Sequence, residues 1–340
     1  MKKAMLFLLV VFTAVFSFAE KLAVLPEAAK PEWLVVDGDR VYAVEKLTVY
    51  AYEMKDFKLV KQFIKKGEGP AEAKSSIYLK ASQDGLSVIQ RGKIMFFSRD
   101  GVLKEEKKIL DSISRVTYLG ENLVGTLHNI DQENKAQYMS INIFDKEFNP
   151  IKMLRKGKSY DLFTAPGGGK RDLVVIGETL AFEVYKNNIY AVDTQRGFSI
   201  TVFDKEGNQL YEINKEYKKI KVPESFKENY LQRFKKNPAV WERTQKMMNF
   251  VFPDYYPAIY RFWVKDEKIY VFTYETKEAK PEEDNPGERN LLVLDLKGNI
   301  LKQMFVPDEG LKSFIDNDGF YYLVENEKDE AWELHVQKIK

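Results

Sequence analysis

One unit recurs along this chain and constrains its fold more than any other feature. A polar turn leads into an Ile/Val-Tyr strand, as in Gly38-Asp39-Arg40-Val41-Tyr42-Ala43-Val44, Asn187-Asn188-Ile189-Tyr190-Ala191-Val192 and Glu267-Lys268-Ile269-Tyr270-Val271-Phe272. Gly319-Phe320-Tyr321-Tyr322-Leu323-Val324 is a looser copy. A second strand follows and closes on Phe or Leu, an Asp and a Gly-Asn turn: Val202-Phe203-Asp204-Lys205-Glu206-Gly207-Asn208 and Val293-Leu294-Asp295-Leu296-Lys297-Gly298-Asn299. Ile143 to Asn149 and Met95 to Gly101 are variants, and a further strand follows each turn. Gly and Asn tolerate the positive φ of a tight turn, and Asp hydrogen-bonds nearby backbone amides, so these residue types mark hairpins between short strands.

Equivalent turn positions fall at Glu53, Ser98, Asp145, Asp204 and Asp295, in steps of 45, 47, 59 and 91 residues. A period of about 40–50 residues with four strands per unit is that of a propeller blade. Six blades are counted, at 31–72, 73–112, 113–158, 173–222, 256–308 and 309–340. The last block has three strand signals, and Lys21-Leu22-Ala23-Val24-Leu25 is left over at the other end. The expectation is therefore an all-β, six-bladed β-propeller in which this N-terminal strand completes the last blade and hides a sheet edge. A two-sheet sandwich or two smaller barrels are the alternatives the same pattern allows. The two long steps hold insertions: a Lys158–Asp172 loop with Gly167-Gly168-Gly169, and a helical segment at 223–257 between blades 4 and 5.

Composition excludes much chemistry. The 340 residues hold no Cys and two His, His128 and His335, so disulfides, Cys nucleophiles, zinc ribbons and three-His metal sites are out of reach. A net charge of +2 argues against nucleic-acid binding through bulk electrostatics. Met1-Lys2-Lys3, an apolar run from Ala4 to Phe16 and Ser17-Phe18-Ala19 together read as a cleavable signal peptide over 1–19. The single domain is then 20–340, without a further membrane span or a lipid-anchor Cys, placed in the periplasm or outside the cell, and expected to be monomeric.

The Phe-Asp-x-x-Gly-Asn turn, the Ile-Tyr strands and Lys66-Gly67-Glu68-Gly69-Pro70-Ala71-Glu72 resemble bacterial exported six-bladed propellers of the NHL-like/TolB-like kind. Ala71 stands where that group usually has a third Gly of its Gly-x-Gly-Pro-Gly-Glu element. The resemblance implies ligand or protein binding at a face of the ring.

Several motifs read as structure. Gly67-Glu68-Gly69-Pro70 lacks the Lys-Ser/Thr of a phosphate loop and reads as a blade-to-blade turn. Asp316-Asn317-Asp318-Gly319 begins like a calcium loop, with Glu327 at position twelve, but Phe320 and Tyr321 break the pattern, so a hairpin is expected. Neither histidine has a Ser nucleophile motif beside it. Glu278 to Arg289 reads as a solvated acidic loop.

The most distinctive segment is Pro223 to Pro257, two short helices broken at Asn237-Pro238 and followed by Phe250-Val251-Phe252-Pro253-Asp254-Tyr255-Tyr256-Pro257. Its aromatic density points either to packing of the insertion on the ring or to a stacking surface for a ligand. Trp241, Phe252, Tyr255, Tyr256, Arg261 and Trp263 are the candidate ligand-binding residues. The expected function is non-enzymatic binding or scaffolding, with a protein, peptide or glycan as partner and no cofactor, metal or catalytic residue. The alternative is a metal-dependent lactonase or hydrolase resembling gluconolactonase-like propellers, for which Glu183, Asn188, Asp193 and Asp266 offer ligand types without a distinctive spacing.

Overall fold

The computed structural model describes residues 19–82, 85–131, 136–158, 170–177, 180–277 and 287–339. Six four-stranded antiparallel sheets form six blades. Their inner strands are Trp33–Asp37, Tyr78–Ser82, Ile113–Leu119, Leu180–Tyr185, Arg261–Lys265 and Ser313–Asp316. The chain then meanders outward, ending blades 1 to 5 in Leu59–Phe63, Leu103–Lys108, Pro150–Lys158, Gln209–Lys215 and Ile300–Pro307. The middle strands are covered on both faces by neighbouring blades. They therefore read as continuous apolar runs rather than alternating ones: Phe198–Phe203 is buried throughout, whereas the outer strand Leu103–Lys108 is mostly exposed.

The sixth blade is closed by the N-terminus, as the leftover strand predicts. Glu20–Val24 pairs antiparallel with Ala331–Lys338, and the Leu25 amide continues the ladder to the Trp332 carbonyl at 2.9 Å. The Trp332 indole donates to the Ala29 carbonyl at 3.0 Å. Six buried clusters fill the six seams between blades. The cluster across the closure joins Leu34, Val41 and Tyr52 of blade 1 to Leu323, Trp332 and Leu334 of blade 6. Each fully buried aromatic or leucine in these seams contributes about 1.5–3 kcal/mol.

One face of the ring carries the turns. Asp145, Asp204 and Asp295 each cap the same loop: the Asp204 amide donates to the Asn208 carbonyl at 3.0 Å, and its carboxylate accepts the Asn208 amide at 2.7 Å and side chain at 3.0 Å. These bonds hold all three carboxyls below the usual carboxylate range, Asn149 and Asn299 doing at 145 and 295 what Asn208 does at 204. The turns lean on the preceding blade. A Cβ on Gly298, at φ +90°, would sit 2.4 Å from Ile213 of blade 4, and one on Gly207 would sit 2.7 Å from Leu154 of blade 3. Blade 3 solves the same contact differently: Phe148 takes φ +66° and buries its ring against blade 2. The calcium-like Asp316-Asn317-Asp318-Gly319 is the tight hairpin of blade 6, with both central residues at positive φ.

The opposite face carries the connections between blades. Gly67-Glu68-Gly69-Pro70 is the turn between blades 1 and 2, where the Gly69 amide donates to the Glu72 carboxylate at 2.7 Å. Ala71, the position without the usual Gly, sits at φ +55°. The fourth blade starts at Leu180, later than the expected 173, because Arg171–Val174 leaves the ring and pairs in parallel with Met248–Val251 of the insertion. The expected signal peptide through Phe18, Gly167-Gly168-Gly169 and most of the stretch expected to be an acidic loop (278–286) lie outside the described residues.

Candidate functional site

All six inner strands run from the connection face to the turn face along the central channel. At the turn-face end, Lys265 of blade 5 is paired with Asp316 of blade 6 and lies 3.7 Å from Asp37 of blade 1, which Arg99 of blade 2 holds at 2.9 Å. Four blades are thereby tied across the closure. Burial raises the Asp37 carboxyl above its ordinary value, against the pull of Lys265 and Arg99. Within the channel, Lys80 of blade 2 reaches past blade 3 to Glu183 of blade 4, 2.9 Å away, with its ammonium 5.3 Å above the Phe182 ring. Burial pulls the Lys80 ammonium down, Glu183 and Tyr78 push it up by more, and its pKa ends raised.

The insertion rises from the connection face between blades 4 and 5. Its base is a short antiparallel clasp: the Val222 amide donates to the Asp254 carbonyl and the Tyr256 amide to the Ile220 carbonyl, both at 2.9 Å. Helix α1 (Glu224–Lys235) starts behind Pro223, which is its N-cap. Asn237-Pro238 both ends α1 and starts α2 (Pro238–Met247): the Asn237 side chain accepts the Ala239 and Val240 amides at 3.2 and 3.3 Å, with Pro at the first helical position. No residue of either helix is buried.

Aromatic rings hold this hairpin to the ring. Trp241 stacks on Phe250 (6.1 Å, 20°), Phe250 meets Phe234 and Tyr230, and Tyr230 meets Phe252 and Phe226. Phe226 then meets Tyr256, which stacks on Tyr274 of blade 5 at 4.5 Å and 16°. Tyr274 meets Tyr260, and the Arg289 guanidinium lies 4.1 Å from the Tyr260 centroid while paired with Asp308. The series is continuous from the outer helix to the ring, and its members are half-buried rather than sealed. Burial raises the phenols of Tyr256 and Tyr274.

At the foot of the insertion is a cleft of about 240 Å³ between blades 4 and 5. Tyr217, Ile220, Pro257 and Tyr274 form its apolar wall, with Lys215, Lys218 and Glu275 alongside. Its floor is polar: Asn290 donates to the Thr273 hydroxyl at 3.1 Å and accepts from Gln303 at 3.0 Å. The cleft combines ring surface with amide hydrogen-bonding groups.

The six candidate residues divide into two places. Trp241, Phe252 and Tyr256 belong to the ring series. Tyr255 is beside them, 50% exposed, with Lys219 at 5.9 Å from its ring. Arg261 and Trp263 point into the seam between blades 5 and 6 instead. Trp263 is buried against Phe272 and Phe314, and Arg261 lies over it at 4.2 Å, bonded to the Gly310 carbonyl and, at 2.8 Å, to the Ser313 hydroxyl. Burial pushes the Arg261 guanidinium down to about 10, with no carboxylate bonded to it among the described residues. Tyr230, Phe234, Tyr274 and the Thr273-Asn290-Gln303 floor were not singled out by sequence. Tyr230 and Phe234 have helical spacing toward the ring, but the floor residues come from separate strands and carry no local signal.

The metal-ligand types are engaged separately. Glu183 pairs with Lys80, Asp193 caps the turn at Gln195, and Asp266 accepts the Asn317 amide. Asn188 closes the hairpin opposite Tyr185. Among the described residues, no three His, Asp or Glu are grouped to hold a metal ion. His335 stacks on Tyr322 and bonds Glu333 at 3.0 Å, while His128 lies 3.2 Å from the Ser114 hydroxyl.

No protein-family model matches this chain, and no curated protein matches it. Solved structures do. The Pan2 WD40 domain of Neurospora crassa aligns with 94% of this chain and 95% of its own at 7% identity and a TM-score of 0.47. The Cps50 (Swd1) β-propeller domain of Myceliophteria thermophila covers 95% and 100% at 7% identity and 0.45. BamB from Moraxella catarrhalis covers 89% and 71% at 10% identity and 0.31. At these scores the likenesses carry nothing about ligand or partner.

Proposed function

We propose that this chain is an exported binding or scaffold propeller, of the NHL-like/TolB-like kind, that recognises a protein, peptide or glycan through its connection face. The observation that carries the reading is the half-buried series of rings from Trp241 to Tyr260, ending beside a cleft with an amide floor. Rings that only glued the insertion down would gain most by full burial. Half-open rings beside amide groups supply stacking area together with hydrogen bonds, the combination that orients a ligand. Export rests on the basic, apolar and small-residue succession of positions 1–19.

The test is binding of the purified chain to immobilised peptide and glycan arrays, followed by titration of the hits. Replacing Trp241 and Tyr255 by Ala together is expected to weaken binding about tenfold or more, equivalent to about 1.4 kcal/mol, while the chain stays folded with a melting temperature lowered by only a few degrees. Robust lactonase or esterase turnover that Trp241→Ala leaves intact would overturn the reading.

A further inference from the structure

The innermost strand of blade 3 contains a backbone feature that no other inner strand has among the described residues. Arg115 lies at φ +51°, in a bulge where the pairing register shifts between Ser114 and Thr117. Arginine is not a residue type that favours the left-handed region, and such conformations persist where their surroundings over-determine them. Here they do. The Thr126 hydroxyl donates to the Ser114 carbonyl at 3.0 Å, and the Ser114 hydroxyl lies 2.7 Å from Thr126 and 3.2 Å from the His128 ring. The His128 amide donates to the Ser112 carbonyl at 2.8 Å, and Ser87 of blade 2 donates to the Val116 carbonyl at 3.3 Å. Both sides of the bulge are fixed, yet the Arg115 side chain is exposed and has no hydrogen bond or ion pair among the described residues.

Its neighbour is the Lys80–Glu183 pair, which spans blades 2 and 4 across blade 3. Lys80 pairs across its ladder with Ser87, whose hydroxyl donates to the Val116 carbonyl at 3.3 Å, so Lys80 lies level with the bulge that carries Arg115. Tyr78 is there too, with Trp33 edge-on at 4.9 Å. The group therefore holds two cations and one carboxylate, exposed at Arg115 and shielded at Lys80 and Glu183, whose side chains are 14% and 20% exposed, so an anion reaching the shielded end gains more than it would in water. Arg115 offers the planar fork that oxyanions take in bidentate fashion, and Lys80 offers a positioned point charge.

We propose that Arg115 and Lys80 form an oxyanion subsite in the channel, for the carboxylate or phosphate group of a ligand. The subsite stands independently of the aromatic connection face. It is tested by calorimetric titration of the purified chain with inorganic phosphate and, separately, citrate, at ionic strength held constant with sodium chloride. Saturable binding is expected, and the tighter of the two anions identifies the group. R115Q weakens it about tenfold, and R115G does the same while relaxing the backbone, so misfolding of R115Q would not obscure the result. E183Q, which releases Lys80 from its counter-charge, tightens binding severalfold. The double replacement of Trp241 and Tyr255 leaves it unchanged, which separates this subsite from the face proposed above. Absence of saturable binding of either anion, affinity in R115Q and R115G unchanged from the native chain (an adventitious ion only), or weakening in E183Q would overturn the proposal.

Discussion

The two faces of this ring are built on different terms. On the turn face, five blades answer the same geometric demand, and the answers repeat: an Asp, Ser or Glu whose amide closes the loop, then Gly or a residue forced to positive φ against the preceding blade. On the connection face, the helical insertion between blades 4 and 5 has no counterpart among the described residues, no residue of its helices is fully buried, and ring-to-ring contacts hold it. Where a constraint is shared, it leaves a period in the sequence. Where a segment meets its constraint only once, no period records it, and only its own breaks and composition mark it.

The sharpest way to break this comparison is to damage each face in turn. Gly298→Ala forces a Cβ to within 2.4 Å of Ile213 at φ +90° and is expected to cost about 3 kcal/mol in urea unfolding. Trp241→Ala, on the other face, removes a far larger side chain for about 1 kcal/mol. If the order were reversed, the insertion and not the repeated turns would be the stability determinant.

A second measurement is acid unfolding. Lys21 first, then Asn326 and His335, hold the Glu333 carboxyl down to about 2. A depressed carboxyl stabilises above its unfolded pKa of ~4.5 and loses that contribution as pH falls towards 2. The urea midpoint of the native chain is therefore expected to fall across this window. In Glu333→Gln that part of the fall should be missing, and an unchanged slope would count against the closure contact.

A smaller effect is expected from Asp204→Ala, which leaves the Asn208 amide without its carboxylate and should lower the melting temperature by about 2–4 °C. The smallest is a gain: Ala71→Gly, at φ +55°, should stabilise by about 0.5 kcal/mol, because relief of the left-handed strain slightly exceeds the added chain entropy. Destabilisation would show that the Ala71 methyl packs usefully on the connection face.

Blade number and ring closure were legible because Asp-Gly-Asn turns and unpaired strand edges are local problems with few solutions. The insertion's helices were legible from Asn237-Pro238 and its aromatic spacing. Three things were not. Arg171–Val174 joins the insertion through a parallel pairing between segments 77 residues apart, as the Arg171–Met248 register shows. Trp263 and Arg261 share the aromatic stretch in sequence but face a seam, because strand alternation turns them away from the insertion. Lys80, Arg115 and Glu183 look like ordinary polar positions of three strands, and only the ring brings their charges together.

Glu20–Val24 and Ala331–Lys338 are the first and last described strands of the chain, and they are partners. Synthesis delivers them at widely separated times. Until the C-terminal residues emerge, five blades wait with an open seam at Leu34, Val41 and Tyr52, and the N-terminal strand has nothing to pair with. Ring closure thus depends on a single joint: a chain cut before Ala331 loses this pairing, and its exposed seam and free strand offer a site to any protease or chaperone that meets it.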